Sequence, residues 1–399
     1  MTNSPSLLMG ATQKRTLRTI ELLIFVLSVG EGMTAPAIPL LGESLGASYS
    51  FIGFFMTGFS FAYGAMTLVS GRLSDYWGRK WILISSIILC FFSSLGYCLA
   101  QTGGSLLFFR TMEGMGKGAL WVIAEAILAD NTSVENRSRA TGRFTVAYGL
   151  GAMIGCLSGG FLMQFIDFKA VFPFYPVFCF ISIGVALKGI NEIPVSHEHH
   201  QLSAHRTDLF KEVKAILPIC YVFFTYTGFL YSVWGLLSIV ASYYQVDYLG
   251  IGVIFALFWF CRIISFWGAG SAEKICSRKV LLIGGVVFLS AAAALFILAV
   301  NIWFLMVAAI LGGIGTGILF TLSVVIVADA SSPGYKGFAM GAMEFAGSVG
   351  MVAQTALSGL LGQYGGIRFT YLFTLIICLL GIGVVIRFVK TAGPTPAQD

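Results

Sequence analysis

Several acidic and basic side chains interrupt segments of this chain that are otherwise apolar. Arg110, Glu113 and Lys117 are spaced so that they share one face of a helix, and Glu125 lies a little off that face. Glu31 lies in an earlier apolar segment. An ionisable group is costly inside a bilayer and is kept there for ion pairing, proton transfer or ligand binding. We therefore expect this face to look into protein or water, and its residues are the first candidates for chemistry.

Two further charges, Arg262 and Glu344, lie in apolar segments of the second half of the chain. The sequence leaves open whether they pair with each other or whether Arg262 binds an anionic group of a substrate. Aromatic rings suit lipophilic or cationic solutes, although most aromatic residues in membranes serve packing and anchoring. With Lys117, the aromatic candidates for a substrate cavity are Trp121, Tyr226 and Trp234.

Long apolar runs must hold these side chains. The chain has 399 residues, of which 57% are apolar and only 11% are charged, whereas about a quarter of a soluble domain is charged. A single soluble core is therefore excluded. Twelve apolar runs, each long enough to cross a bilayer, predict an all-α membrane protein with twelve transmembrane helices. The predicted spans are 18–41, 49–70, 80–101, 104–128, 139–165, 168–188, 213–241, 248–271, 279–300, 302–328, 336–362 and 367–388.

The distribution of basic residues predicts the orientation. Loops on the side of both chain ends carry nearly all the loop Lys and Arg residues, while the opposite loops have only Lys169 and Arg368. The positive-inside rule places the basic side in the cytoplasm. We expect a multi-pass protein of the plasma membrane, or of the inner membrane in a Gram-negative cell, with both termini cytoplasmic. Glu21 and Glu31 in the first run argue against a cleaved signal peptide.

No pattern in the sequence is typical of an enzyme or a metalloprotein. We find no phosphate-binding loop, metal-ligand spacing or activated nucleophile, so neither a cofactor nor a metal is expected. The glycine-rich stretch 312–317 lies inside an apolar run, where helix packing explains it. The polar segment 189–212 is better explained as a solvated linker than as a metal site. That segment contains all four histidines, His197, His199, His200 and His205.

The two halves of the chain repeat each other at an offset of 199 residues. Seven glycines of the first half have glycine counterparts, and Arg79-Lys80 matches Arg278-Lys279. This repeat predicts two six-helix bundles, 1–188 and 213–399, joined by the cytoplasmic linker 189–212. The bundles should be related by a pseudo-two-fold axis along the membrane normal, with the substrate cavity between them.

A charged ten-residue loop separates the second and third apolar runs and reads Gly71-Arg-Leu-Ser-Asp75-Tyr-Trp-Gly78-Arg79-Lys80. Gly71 permits a close approach of helices, and Gly78 permits a tight turn. Asp75 can accept hydrogen bonds at a neighbouring helix start, where the helix dipole favours an anion. Arg79 and Lys80 are expected to face the anionic cytoplasmic surface.

With this loop, the chain resembles the major facilitator superfamily over essentially its whole length. One departure is Tyr76, where the family usually has a basic residue. Further motifs narrow the resemblance to twelve-span drug/proton antiporters. In span four, Arg110-x-x-x-Gly114-x-Gly116 looks like the R-x-x-x-G-x-G motif associated with proton transfer.

Spans one and five carry the other two motifs. Span one contains Gly30-x5-Pro36-x2-Pro39, which is similar to a pattern of twelve-span drug exporters. Span five resembles the antiporter signature that ends G-P-x-x-G-G, but Cys156 replaces the proline, which weakens the prediction of a helix kink. The motif begins at Gly142, and its glycines that are expected to pack helices are Gly151, Gly155, Gly159 and Gly160.

The resemblance implies a secondary active transporter that exports small amphipathic or lipophilic compounds in exchange for protons by alternating access. It places spans one and four side by side, so that Glu31 and Arg110 are expected to pair, either for proton coupling or as a fixed structural ion pair. Burial favours a protonated carboxyl and a neighbouring arginine favours the carboxylate, and this competition allows proton exchange when substrate arrives. Glu113 is an alternative proton carrier, unless Glu113 and Lys117 only neutralise each other.

The resemblance also implies a charge relay at the cytoplasmic surface, which would latch the halves in the outward-facing state. A solvated loop cluster is the alternative. In the corresponding loop of the second half, Lys274 stands where the first half has an aspartate, so we expect a stronger latch in the first half. The relay residues are Asp75, Arg79, Asp130 and Arg139.

Two other functions stay open on the sequence alone. A transporter of a metabolite, siderophore or other organic anion would use Arg110, Lys117 or Arg262 to hold the anion. A non-transporting membrane receptor or assembly factor is a more distant class, and the intact gating loop argues against it. The expected partners are a small-molecule substrate, protons and the lipid bilayer, without nucleic acid, and we expect a monomer.

Overall fold

The computed structural model describes residues 10–191, 206–273, 275–331 and 336–389, and these residues are almost entirely helical. The first half contains α1 (Ala11–Thr34), α2 (Ala37–Ser44), α3 (Tyr49–Trp77), α4 (Arg79–Leu99), α5 (Gly103–Asp130), α6 (Val134–Phe165) and α7 (Phe174–Gly189). The second half contains α8 (Arg206–Tyr243), α9 (Tyr248–Ala272), α10 (Arg278–Ile297), α11 (Ile302–Ala330), α12 (Lys336–Gly365) and α13 (Leu372–Phe388).

Polar residues define where several helices begin. Ser48, Thr102 and Ser277 each accept, through the side-chain oxygen, a hydrogen bond from the backbone N–H three residues later. Asp247 and Asn301 do the same with a carboxylate and an amide oxygen. Such N-caps satisfy backbone donors that a helix leaves free at its start. They set the first residues of α3, α5, α9, α10 and α11.

The first span is broken at a proline. Helix α1 ends at Thr34 and α2 begins at Ala37, with Pro36 at the N-cap of α2. Because Pro36 has no backbone N–H, it cannot continue the hydrogen bonding of α1. Pro39 lies buried in the first turn of α2, where a missing N–H has no partner to lose. The two helices together form one candidate span, Thr12–Ser44.

Eleven helical segments of the described residues are long and apolar enough to cross a membrane. They coincide with eleven of the twelve predicted spans. The twelfth prediction, 104–128, falls on α5, which has 28 residues and carries the charged side chains of Arg110, Glu113, Lys117 and Glu125. The boundary of the linker differs from the prediction, since α8 begins at Arg206 and makes 206–212 helical. The histidine cluster of the linker lies outside the described residues.

Helix α5 lies against α3 and α4 through glycines. A side-chain carbon at Gly114 would collide with the carbonyl oxygen of Phe59, and one at Gly116 would lie 2.8 Å from the carbonyl oxygen of Ser86. The backbones therefore approach more closely than a larger residue permits. At the offset of 199 residues, the corresponding contacts in the second half are those of Gly313 with Phe258 and of Gly315 with Gly285.

Helix α6 runs unbroken from Val134 to Phe165 and packs on α1. Its glycines recur every four residues and so form one stripe. Cys156, which stands where the antiporter signature has a proline, is buried, and its carbonyl oxygen lies against Gly252 on α9. The stripe consists of Gly151, Gly155 and Gly159, which face the carbonyl oxygens of Phe25, Val29 and Met33.

The two halves contact each other at one end, which we call the sealed end. There Gly53 at the start of α3 packs on Gly359 in α12, and Gly160 near the end of α6 packs on Gly252 in α9. The contacts continue to mid-depth and include a Tyr148–Trp259 ring contact at 5.2 Å. Further members of this seal are the pairs Tyr49–Thr370, Thr57–Thr355, Gly64–Ser348 and Gly149–Ile263.

The opposite end, which we call the open end, carries the start of α1 and the end of α13. Within the described ranges, no hydrogen bond or ion pair joins the two halves there. A side-chain carbon built at Gly71, Gly142, Gly270 or Gly341 meets nothing within 4 Å. The predicted close helix contact at Gly71 is therefore absent in this conformation, because the halves stand apart at this end.

Candidate functional site

Helix α5 carries a buried ion pair. Arg110 and Glu113, one turn apart, pair with each other. Tyr97 on α4 donates to the same carboxylate oxygen, and Tyr175 on α7 donates to the other oxygen over 2.9 Å. Glu113 is fully buried. Its carboxylate is supplied with donors from three helices, which compensates for the loss of water.

The guanidinium of Arg110 is enclosed by α3. It donates to the sulfur of Met56 over 3.0 Å and lies 4.7 Å from the centroid of the Phe59 ring. Only 4% of Arg110 is exposed. The pair is therefore part of the packed interior of the first half and holds α3, α4, α5 and α7 together.

A second ion pair joins α1 to α5. The Nζ of Lys117 lies 2.6 Å from Oε2 of Glu31. The exposed fraction is 7% for the side chain of Lys117 and 15% for that of Glu31. This geometry corrects the predicted pairing. Glu31 pairs with Lys117 rather than with Arg110, and Glu113 pairs with Arg110 rather than with Lys117.

Depth along α5 explains the correction. Lys117 lies seven residues beyond Arg110, which is about 10 Å further along a helix. Glu31 on α1 reaches the level of Lys117, whereas Arg110 is already held by Glu113 one turn away. The charges alternate in sign along the cluster, so each carboxylate lies next to a cation. We call these four residues the first-half network.

The exposed side of the first-half network borders the other half of the molecule. Tyr148 on α6 and Tyr231 on α8 interact electrostatically with the carboxylate of Glu31. Tyr231 belongs to the second half, and its ring centroid lies 6.0 Å from that of Phe59. Of the two carboxylates in the network, Glu31 is therefore the one at the boundary between the halves.

Arg262 on α9 has aromatic neighbours in place of a carboxylate. Its Nη2 donates to the hydroxyl of Tyr226 over 2.8 Å. Its guanidinium carbon lies 5.0 Å from the ring centroid of Trp259 and 5.4 Å from that of Phe266. Nε and Nη1 are buried without an acceptor in the described part of the chain. The pairing of Arg262 with Glu344, one of the two alternatives left by the sequence, is not formed.

Two half-buried carboxyl groups, one from each half, approach each other nearer to the open end. Glu344 on α12 and Glu125 on α5 interact electrostatically, and both act on the hydroxyl of Tyr63. Trp121 lies one turn before Glu125 on α5. Neither carboxyl forms an ion pair with the residues that the structure describes. Each half thus contributes one carboxyl that has no ion pair among the described residues.

A row of aromatic rings crosses from one half to the other at mid-depth. Trp121 lies 5.5 Å from Tyr148, Tyr148 lies 5.2 Å from Trp259, and Trp259 lies 5.7 Å from Trp234. Trp121 and Trp234 were predicted from the sequence. Tyr148 and Trp259 were missed, as were the hydroxyl donors to Glu113, because an aromatic residue in an apolar run carries no signal of what it will contact.

The loop between α3 and α4 is tied to its own half. Arg79 pairs with Asp130 at the end of α5 over 2.7 Å. Lys80 donates over 3.1 Å to the carbonyl oxygen of Leu187, which lies near the end of α7, where a cation is favoured. Gly78 has a φ of 84°, a left-handed conformation that suits glycine.

One pair of the predicted relay is formed, that of Arg79 with Asp130. Arg79 and Asp130 belong to the same half, so their contact does not latch the halves in this conformation. Arg139 is exposed and forms no ion pair with the described residues. The side chain of Asp75 lies outside the described part of the structure.

The second half contains an equivalent cluster at the same offset. Arg278 pairs with Asp329 over 2.7 Å and with Glu273 over 3.4 Å. Lys279 donates over 2.7 Å to the carbonyl oxygen of Ile386. Glu273, one position before Lys274, thus supplies a carboxylate within the second half. The stronger latch between the halves at the first-half loop stays a prediction. Lys274 itself lies outside the described residues.

Comparison with known proteins identifies the family to which this chain is similar. The family model of the Major Facilitator Superfamily matches residues 20–271 and 219–399. Multidrug resistance protein 2 of Bacillus subtilis (strain 168) is 27% identical over 204 residues, which are 50% of this chain and 51% of that protein. Multidrug resistance protein 1 of the same organism is 23% identical over 209 residues, 52% of this chain and 53% of that protein. The matches span about half the length of these relatives.

Solved structures share the fold. The nucleoside transporter NupG superposes with a TM-score of 0.76 at 13% identity, over 94% of this chain and 100% of that chain. The human organic anion transporter MFSD10 (TETRAN) superposes with a TM-score of 0.69 at 18% identity, over 94% of this chain and 99% of that chain. At identities this low the likeness concerns the fold alone.

Proposed function

We propose that this chain, which belongs to the Major Facilitator Superfamily, exports small amphipathic or lipophilic compounds in exchange for protons. The observation that carries the proposal is the Glu31–Lys117 ion pair, which lies at the boundary between two halves held together at the sealed end. A carboxylate that depends on a single lysine for its charge is suited to proton exchange. The Bacillus relatives named multidrug resistance proteins support export.

In the proposed cycle, protons and substrate favour opposite states of the Glu31–Lys117 pair. A proton from outside neutralises Glu31 and separates it from Lys117. An amphipathic compound that enters from the open end favours the ionised pair, and the proton leaves. Because each ligand prefers a different state of the same pair, binding of one promotes release of the other.

Glu113 is the weaker candidate for the proton carrier. It is fully buried, and it accepts hydrogen bonds from Arg110 and from two tyrosines. Protonation of Glu113 would leave Arg110 as a buried cation without a counterion, which costs several kcal/mol. We therefore assign Glu113 to packing of the first half and Glu31 to coupling.

The internal repeat indicates which contacts would close the open end in an outward-facing state. At the sealed end, the contact between α6 and α9 is the counterpart of the contact between α12 and α3 at the offset of 199 residues. We propose that the open end closes in the same way, with Gly71 approaching Gly341 and Gly142 approaching Gly270. The seal would then separate, and the site would face the other side of the membrane.

The finer topology also belongs to the proposal. We propose that α5 is the twelfth span and that 1–188 and 213–399 form bundles related by a pseudo-two-fold axis. The open end would face the cytoplasm, since basic residues are concentrated there. The protein would then be a monomer in the plasma membrane with both termini inside the cell.

Transport in proteoliposomes with a pH gradient tests the function. The wild-type protein should drive movement of a lipophilic dye that depends on the gradient, and Glu31→Gln should lose this dependence because an amide does not exchange the proton. Glu21→Gln is a matched control, since Glu21 lies on the same helix but pairs with Arg143 over 2.9 Å, outside the network. Unchanged proton dependence in Glu31→Gln would place the coupling elsewhere.

Transport of a metabolite, siderophore or other organic anion is the second candidate function. The observation that favours it is Arg262, a buried guanidinium with no carboxylate partner in the described ranges. Uptake of an organic anion without proton-driven dye export would select this candidate over the first.

A further inference from the structure

We infer that Arg262 and the aromatic rings around it form the recognition site for an acidic group on an exported aromatic compound. The inference rests on the proposed export function and specifies its substrate class. The expected ligand has a planar apolar body and one carboxylate or similar anion. Four features of the site support this inference: its unpaired charge, its free donors, its aromatic wall and its position at the edge of the seal. A fifth feature, its relation to Glu344, defines the alternative.

The first feature is the missing counterion. Arg262 is 4% exposed, and the described residues offer it no carboxylate within ion-pair distance. A charge buried without a partner costs several kcal/mol, and ionisable groups within membrane spans mark functional sites. In the first half, the buried cations Arg110 and Lys117 each have a carboxylate. A bound anion would give Arg262 the partner that this conformation lacks.

The second feature is the set of free donors. Tyr226 occupies Nη2, while Nε and Nη1 have no acceptor among the residues that the structure describes. A guanidinium presents its N–H groups in a planar fork that matches a carboxylate, and such charge-assisted hydrogen bonds are strong. Arg262 is therefore already positioned by Tyr226 and still has N–H groups to offer to an anion.

The third feature is the aromatic wall. The rings of Trp259, Tyr226 and Phe266 have centroids 5.0–5.4 Å from the guanidinium carbon. Phe320 extends this cluster, 5.6 Å from Phe266 and 6.0 Å from Tyr226. Aromatic surfaces pack well against a planar aromatic ligand. A compound with an acidic group beside a ring could therefore use both the charge and the apolar wall.

The fourth feature is position. Trp259 and Ile263, on either side of Arg262 in sequence, make the mid-depth contacts of the seal with Tyr148 and Gly149. Two turns further along α9, Gly270 already faces open space. Arg262 thus lies where the seal ends and the open end begins, and a ligand entering from the open end reaches this residue before the halves close around it.

The fifth feature, Glu344, is the group with which an anion must compete. Arg262 and Glu344 both act on the hydroxyls of Tyr226 and Tyr231. A different conformation could therefore bring Glu344 to Arg262 as an internal counterion. If Glu344 neutralises Arg262, an added anion is excluded from the site. If Arg262 has no internal counterion, the anion binds.

Binding of 2-naphthoate and of its neutral analogue 2-naphthamide to the purified full-length protein tests the inference. Calorimetry in detergent needs no proton gradient. We expect the wild-type protein to bind the acid about tenfold more tightly than the amide, as expected for a hydrogen bond to a charged group. Arg262→Gln should remove this preference while retaining the affinity for the amide, and Arg262→Lys should keep part of it. Arg143→Gln, which changes a peripheral arginine, should keep all of it.

Several outcomes would overturn the inference. They are equal binding of acid and amide to the wild-type protein, an unchanged preference in Arg262→Gln, and a preference that appears only in Glu344→Gln. The comparison within the wild-type protein decides the question even if a variant does not fold. If the wild-type protein prefers the acid but shows no proton-driven dye export, the proposed export function is contradicted and the inference about Arg262 is not. The two proposals can therefore fail separately.

Discussion

The two halves treat their buried charges in opposite ways. In the first half, Arg110 pairs with Glu113 and Lys117 pairs with Glu31, so that every member of the network has a partner of opposite sign. In the second half, Arg262 is surrounded by aromatic rings and has no carboxylate partner among the described residues. The difference shows that two halves with matching helix contacts can hold buried cations in different ways, one with carboxylate partners and one among aromatic rings.

The scaffold of the two halves is otherwise closely matched. Glycine contacts between helices recur at the offset of 199 residues, as do the Arg79–Asp130 and Arg278–Asp329 pairs, each 2.7 Å long. The charged positions inside the apolar spans do not recur. The counterparts of Glu31, Arg110, Glu113 and Lys117 are Leu230, Ala309, Gly312 and Thr316, and the counterpart of Arg262 is Tyr63.

The largest expected effect comes from exchanging a buried acid for its amide in each half. Glu113→Gln should lower the free energy of unfolding by about 3–5 kcal/mol, because Arg110 is left buried without its counterion. Glu344→Gln should change it by less than about 1 kcal/mol, because this carboxyl has no ion pair to lose. Reversible unfolding of the purified proteins in detergent measures both. Equal losses of unfolding free energy in the two variants would contradict the conclusion that Glu113 is paired and Glu344 is not.

An intermediate effect is expected when the Glu31–Lys117 pair is replaced by its second-half counterparts. Lys117→Thr alone should destabilise the protein by about 3 kcal/mol, since it leaves Glu31 unpaired. Adding Glu31→Leu should recover most of this loss, because both charges are then absent. A double-mutant cycle on the free energy of unfolding measures the coupling. If the losses simply add, the pair is not a unit, and its proposed part in proton exchange is weakened.

The smallest effect is expected at the open end, where the halves are alike. The side chains of the Arg79–Asp130 and Arg278–Asp329 pairs are between 21% and 59% exposed. Arg79→Gln and Arg278→Gln should therefore each cost no more than about 1 kcal/mol. Raising the salt concentration should reduce both losses by screening. A much larger loss in only one of the two variants would show that the clusters differ in role.

Much of the architecture was predictable because local sequence controls it. Apolar length predicted eleven spans that the helices confirm, and Gly78 adopts the left-handed conformation expected of its turn. The ion pairs within the membrane were not predictable in detail. Helical spacing placed Arg110, Glu113 and Lys117 on one face, but it could not tell which of them would meet Glu31.

What the sequence by itself determined is the set of helices, the repeat and the identity of the charged residues, because periodicity, composition and caps act over a few turns of chain. Only the tertiary structure decided the partners. The pairing of Lys117 with Glu31, the isolation of Arg262 among rings and the separation of the halves at the open end depend on the rotation and depth of one helix against another. Those two quantities are set by the packing of residues distant in sequence, and no local pattern records them.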